Sequence, residues 1–163
     1  MNTKLSIGQI VALLAALMVL LFFFFPWIEL NMFLASTTLS GFQIAAGNGP
    51  AGSNFPGVPS LFLVPLAMVG VIVIAAVSFA GQSSATQLKG IVAFLLLAAG
   101  GISALVILYQ YFNLNQQFNQ NVMGMIAQKM FSYSFGAHAS LFGSVVVAGG
   151  GLLDLVTGSK KGT

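Results

Sequence analysis

Long apolar runs separated by short polar breaks set the pattern of this chain. No charged residue occurs from Leu5 to Ile28, and further apolar runs cover Leu61 to Ala80, Gly90 to about Phe112, and Ala137 to about Val156. Each approaches the ~20 residues that a helix needs to cross a hydrocarbon core. The pattern predicts four transmembrane helices over about 8–28, 61–80, 90–112 and 137–157. Their connections are a long loop over 31–60, a polar turn over 81–89, an amphipathic segment over 113–135 and a short tail over 158–163. The expected fold class is an all-α integral membrane protein, a single four-transmembrane-helix bundle with a long irregular first extracytoplasmic loop. Part of that loop, Asn31 to Leu39, is β-compatible in composition.

The breaks carry local detail. Pro26 lacks an N–H donor and is expected to end or kink the first helix, while the amphipathic indole of Trp27 suits a membrane interface. Together they read as an interface anchor. The four phenylalanines Phe22 to Phe25 cover all sides of a helix and read as lipid-facing and neighbour-facing bulk, with a pigment or quinone contact surface as the alternative. Lys4 followed by an apolar run has the look of a signal peptide, with small residues at Leu34-Ala35-Ser36, but the run exceeds the ~7–15 residues of a signal core. A retained signal anchor is expected.

Ser40-Gly41 reads as a turn, and the Gly/Pro-rich stretch from Asn48 to Pro59 as irregular chain. Ser60 is placed to cap the second span, and Pro65, one turn in, is expected to kink it. Beyond the third span, Leu114, Phe118, Val122, Ile126 and Met130 recur every four residues, which keeps a helical period outside the membrane or on its surface. Ser132 to Gly136 reads as a break.

Composition narrows the function classes. Only 4% of the 163 residues are charged and 58% are hydrophobic, against roughly a quarter charged in a soluble domain. The net charge of +3 comes from five lysines. They are scattered, so the clustered basic surface that nucleic acid requires is absent from the sequence. There is no cysteine, which removes disulfides and thiolate chemistry. Cytoplasmic flanks retain positive charge. With both termini and the 81–89 turn inside, Lys4, Lys89, Lys160 and Lys161 are cytoplasmic and Lys129 alone lies outside. A bacterial inner membrane is the expected location.

Three side chains exhaust the acidic and imidazole chemistry: Glu29, His138 and Asp154. Asp154 follows His138 by about 24 Å along a helix at 1.5 Å per residue, so no hydrolytic or metal set assembles from one chain, and neither a metal nor a catalytic residue is expected. Asp154 is the candidate ionisable residue within a span, expected near the membrane end beside lysines. Glu29 and Lys129 are the two expected outer charges, free to pair. His138, among Gly136, Ala137, Ala139 and Ser140, is a weak candidate cofactor ligand, of the kind that holds a chlorophyll-type magnesium; an interfacial hydrogen-bonding role is the simpler alternative, and no resident cofactor is expected.

Small residues form the clearer pattern. Ser140, Ser144 and Ala148 recur at four-residue spacing ahead of Gly149, Gly150 and Gly151, and Gly100 and Gly101 sit in the third span among Ala98, Ala99, Ser103 and Ala104. Such patches let membrane helices approach closely, within one chain or between subunits.

Four spans, both ends inside, a long first outer loop and a shorter second one resemble the claudin-type tetraspan layout. The likeness is one of topology; the claudin cysteine pair and Trp-Gly-Leu-Trp pattern do not occur here. It implies a protein that works by lateral or face-to-face association. The expected function is therefore a non-catalytic structural, assembly or accessory subunit whose partners are the lipid bilayer and itself or other membrane subunits. Alternatives are a small oligomeric channel or transporter, drawing on Ser103, Gln110 and Asp154, and a pigment- or lipid-binding accessory subunit.

Overall fold

The structure is a computed structural model that describes residues 5–32, 35–49, 57–80, 86–119 and 131–159. Its elements are α1 (Ile7–Phe23), β1 (Pro26–Met32), β2 (Ala35–Ser40), α2 (Gly41–Ala46), a 3-10 turn (Pro59–Phe62), α3 (Leu63–Ala80), α4 (Thr86–Asn119), β3 (Phe131–Tyr133) and α5 (Phe135–Ser159). Three segments, Pro59–Phe79, Gly90–Asn113 and Phe135–Thr157, are helical, long and apolar enough to cross a membrane. The apolar helix α1 is shorter, about 25 Å at 1.5 Å per residue. The fold is compatible with a helical membrane protein.

Helix α5 packs along both α1 and α4, and α3 closes the group against α1 and α4. Close backbone approach sets these contacts. A Cβ at Gly100 would strike the backbone of Ser144 and Ala148, and one at Gly151 would meet Leu97 N at 2.5 Å and Ala93 O at 2.6 Å. On the other flank a Cβ at Gly150 would meet Gly8 O at 2.6 Å, and one at Gly143 would meet Val19 Cγ2 at 2.5 Å. Successive residues of a helix differ by about 100° in direction. Gly150 and Gly151 therefore serve two different neighbours, α1 and α4. At Gly101 and Gly149 no described residue occupies the space where a side chain would be.

The first helix ends at Phe23 rather than at the expected Ile28. Phe24 N and Phe25 N donate to Leu21 O and Phe22 O, a tightened last turn, and Pro26 then opens a strand. Proline is tolerated as the first residue of a strand; the residue expected to end or kink the helix follows its last turn and begins β1. The sheet order is β2-β1-β3, with both pairings antiparallel. Alternation divides its faces. Ile28, Leu39 and Tyr133 share one face through their register, and Ile28 and Leu39 are buried. Glu29, Thr38 and Ser132 share the other. The sheet thus has an apolar side on the bundle end and a polar side away from it.

Several local expectations change with this cap. Ser40 is the N-cap of α2: its hydroxyl accepts from Gln43 N at 3.2 Å and Gln43 Oε1 accepts from Ser40 N at 2.9 Å. Gly47, in the left-handed region at φ 74°, closes that helix, a conformation that glycine adopts without steric cost. The connection read as irregular therefore contains a helix. Ser60 caps no helix through its side chain; its hydroxyl accepts from Gln110 Nε2 at 3.0 Å and ties the 3-10 turn to α4. Pro65 falls in the first turn of α3, where a missing N–H breaks no intrahelical bond. The helical period after Phe112 continues to Asn119, and the expected break after it contains β3. Residues 120–130, including Val122, Ile126 and Lys129, lie outside the described residues.

The glycine geometry separates two classes of substitution. Gly100→Leu or Gly151→Leu should destabilise the protein by about 1–3 kcal/mol through overpacking against backbone. Gly101→Leu should leave stability within about 0.5 kcal/mol. Denaturant unfolding in detergent, followed by circular dichroism, distinguishes them.

Candidate functional site

The sheet end of the bundle is organised on Trp27. Its side chain is buried, and its Nε1–H donates to Phe22 O at 2.9 Å, a second bond to a carbonyl at the end of α1 that also accepts from Phe25 N. The indole meets Phe23 edge-on, with centroids 5.7 Å apart. Gly41 and Gly136 approach so closely that added Cβ atoms would lie 2.7 and 2.9 Å from indole carbons. Trp27 therefore joins α1, β1, α2 and α5. The residue expected at a wet interface is instead a packing centre, because β1 folds back over the helix ends.

Beside it, Tyr111 of α4 stacks on Tyr133 of β3 with centroids 3.9 Å apart and planes 21° apart. Tyr133 Oη donates to Tyr111 O at 3.0 Å. Burial pushes the Tyr133 phenol up to about 12. Trp27, Ile28, Leu61, Ile107, Gln110 and the two tyrosines enclose, with Ile44, a void of about 10 Å³. It has room for no more than about one water.

His138 sits at the start of α5 and is exposed. Its Nδ1 lies 3.1 Å from Ser134 O. A carbonyl only accepts, so Nδ1 is the donor in this contact. The ring meets Tyr111 edge-on at 5.9 Å. Glu29 is half-buried on the polar face of β1, between Thr38 and Ser132 in register. Its expected partner Lys129 lies outside the described residues. Pro26 lines an open cleft of about 470 Å³ with Phe24, Thr38, Ser40, Phe42, Gln43 and Asn48.

At the opposite end, Asp154 reaches the start of α1. Ser6 Oγ donates to Asp154 Oδ2 at 2.6 Å while accepting from Gln9 N at 3.1 Å, and Gln9 Oε1 accepts from Ser6 N at 3.2 Å. Gly8 lies against the carboxylate and could carry no side chain there. The first turn of α1 has no acidic residue of its own. Asp154 supplies the negative charge that a helix N-terminus favours, from a neighbouring helix. Lys4, Lys160 and Lys161 lie outside the described residues.

Between the two ends, Ser140 and Ser144 are fully buried in α5, and Ser144 Oγ donates to Ser140 O at 2.8 Å. Ala148 abuts Gly100. Ser103 Oγ and Ser140 Oγ are buried with no hydrogen-bond partner among the described residues. Glu29, His138 and Asp154 do not converge: Glu29 and His138 belong to the sheet end and Asp154 to the other. No group of three His, Cys, Asp or Glu side chains among the described residues is placed to hold a metal. Sequence reasoning missed the Ser6–Asp154 clasp, although Ser6 and Gln9 together form a readable capping box.

Removing the clasp should be measurable. Asp154→Leu leaves the Ser6 hydroxyl without its acceptor and should cost about 1–3 kcal/mol in denaturant unfolding, with Asp154→Asn costing less. Alkaline pH provides a second check. The folded state holds the Tyr133 proton up to about 12, whereas an unfolded tyrosine releases it near ~10. Its contribution to stability is thus intact below about 10 and falls as pH rises towards about 12. Tyr133→Phe should flatten that part of the stability profile.

Compared with known proteins, the chain matches no family model, no curated protein and no solved structure.

Proposed function

We propose that the chain is a four-span membrane protein, with both termini cytoplasmic and the sheet cap outside, that acts as a non-catalytic assembly or accessory subunit. Its partners are further copies of itself or other membrane subunits. The observation that carries this reading is the division of its glycines. Gly100, Gly150 and Gly151 are used inside the chain, whereas Gly101 and Gly149 open outward with nothing among the described residues beside them.

Large exposed residues frame both openings. Leu105 is 67% exposed near Gly101, and Phe142 and Val145 are 71% and 54% exposed on the stripe that contains Gly149. A glycine notch between bulky residues admits the ridge of another helix, and in a bilayer such close packing is a main source of association. The scarcity of ionisable groups supports the same reading, because acid–base work needs positioned groups within hydrogen-bond reach.

Native mass spectrometry of the protein extracted in mild detergent tests this. A discrete oligomer or a stoichiometric complex is expected. Gly101→Leu and Gly149→Leu should each weaken association by about fivefold to tenfold without loss of helicity. A monomer that copurifies with nothing overturns the reading. Solute flux in liposomes that Asp154→Asn abolishes would replace it with transport.

A further inference from the structure

We propose that the cleft between the β1–β2 hairpin and α2 holds the ammonium-bearing headgroup of a zwitterionic bilayer lipid, whose acyl chain lies along α1. This rests on the placement of α1 in the bilayer and not on lateral association. The outward stripe of α1 comprises Leu14, Leu17, Leu21 and Phe24, which are 59%, 48%, 55% and 62% exposed. Their spacing puts them on one helical face. The stripe ends at the cleft, because Phe24 also lines it. Apolar surface and polar recess are therefore continuous, in the order of a lipid's two halves.

The lining chooses the headgroup. Phe24 and Phe42 stack with centroids 5.7 Å apart and both line the cleft, so it is bordered by aromatic rings of the kind that attract a cation. The polar lining is Thr38, Ser40, Gln43 and Asn48, with no basic side chain among the described residues. Glu29 is the cross-strand neighbour of Thr38 on the same face of the sheet, and it puts one negative charge at the cleft's edge. Gln43 accepts from Ser40 N through Oε1, so its amide N–H groups remain as donors for phosphate oxygens, beside those of Asn48. One carboxylate, two lining aromatic rings and uncharged donors suit an ammonium phosphodiester and disfavour a headgroup with net negative charge. The short α1 assists, since a helix of about 25 Å thins the ~30 Å hydrocarbon core around it and draws headgroups towards its end.

The test uses the full chain in nanodiscs containing equal phosphatidylethanolamine and phosphatidylglycerol with identical acyl chains, followed by native mass spectrometry of retained lipids. Phosphatidylethanolamine should be retained over phosphatidylglycerol by about fivefold. Glu29→Gln and Phe42→Ala should each bring the ratio close to parity, with Phe79→Ala, on α3, leaving it unchanged. No preference in the unmodified protein, or a preference that survives Glu29→Gln, overturns the proposal. If Phe42→Ala does not fold, Glu29→Gln alone decides. Because the chain has no cysteine, Leu14→Cys reports on α1 separately. Labelling of that thiol by a membrane-impermeant maleimide would overturn both the lipid site and the four-span reading. Protection of the thiol with no lipid preference would overturn the lipid site alone.

Discussion

Close backbone approach along α5 is the constraint on which the other features depend. Water drives no association between helices inside a bilayer, so packing distance and hydrogen bonding carry it. At Gly100, Gly150 and Gly151 the facing backbones leave no space for a side chain. A one-residue slip of α5 would place Leu152 at the position of Gly151 in one direction and Phe142 at the position of Gly143 in the other, and neither position has room for a side chain. The register is therefore fixed sterically, and both ends of α5 follow from it. One end brings Asp154 over the first turn of α1; the other brings Gly136 against Trp27 and Phe135 edge-on to Phe22 at 5.1 Å.

The second consequence is the cap. Since α1 stops at Phe23, its end is held by the residues that follow it: Phe25 N and the Trp27 indole both donate to Phe22 O. β1 then becomes the central strand, with β2 on one side and β3 on the other. Ser134 N donates to Trp27 O at 2.8 Å and continues that pairing into the start of α5. The strand that follows the first helix is thereby bonded to the segment that precedes the last. This closes the sheet end of the helices without any charge except Glu29 among the described strand residues.

Much of the helical plan was legible because a bilayer imposes a length: the runs near Leu61, Gly90 and Ala137 correspond to helices long and apolar enough to cross it. The end of α1 was not legible. Phe24 to Ile28 is apolar whether it continues a helix or enters a strand with one buried face, and hydropathy does not separate the two. β3 escaped for a different reason. Three residues, Phe131 to Tyr133, carry no usable period, and their strand partner lies about a hundred positions away, at Ile28 to Leu30. The capping box of Ser40 and Gln43 was readable but was outweighed by the turn signal of Ser40-Gly41. The glycine triplet showed that α5 would be approached closely; which glycine faced which neighbour required the helical phase, and that depends on where α1 and α4 sit.

The distribution of the few ionisable groups separates structural from recognition chemistry. Asp154 is committed: its carboxylate accepts from Ser6 and lies against Gly8, and both contacts hold α1 to α5. His138 and Glu29 are at the sheet end, one exposed and one half-buried. The hydrogen bond to Ser134 holds the His138 ring without covering it. A chain with 4% charged residues that leaves two of its three acidic or imidazole groups accessible at one end has concentrated there most of its means of discriminating one polar partner from another. The outward glycines of α4 and α5 lie on other helices than the exposed apolar stripe of α1, so the proposed lateral association and the proposed headgroup recognition would use separate surfaces.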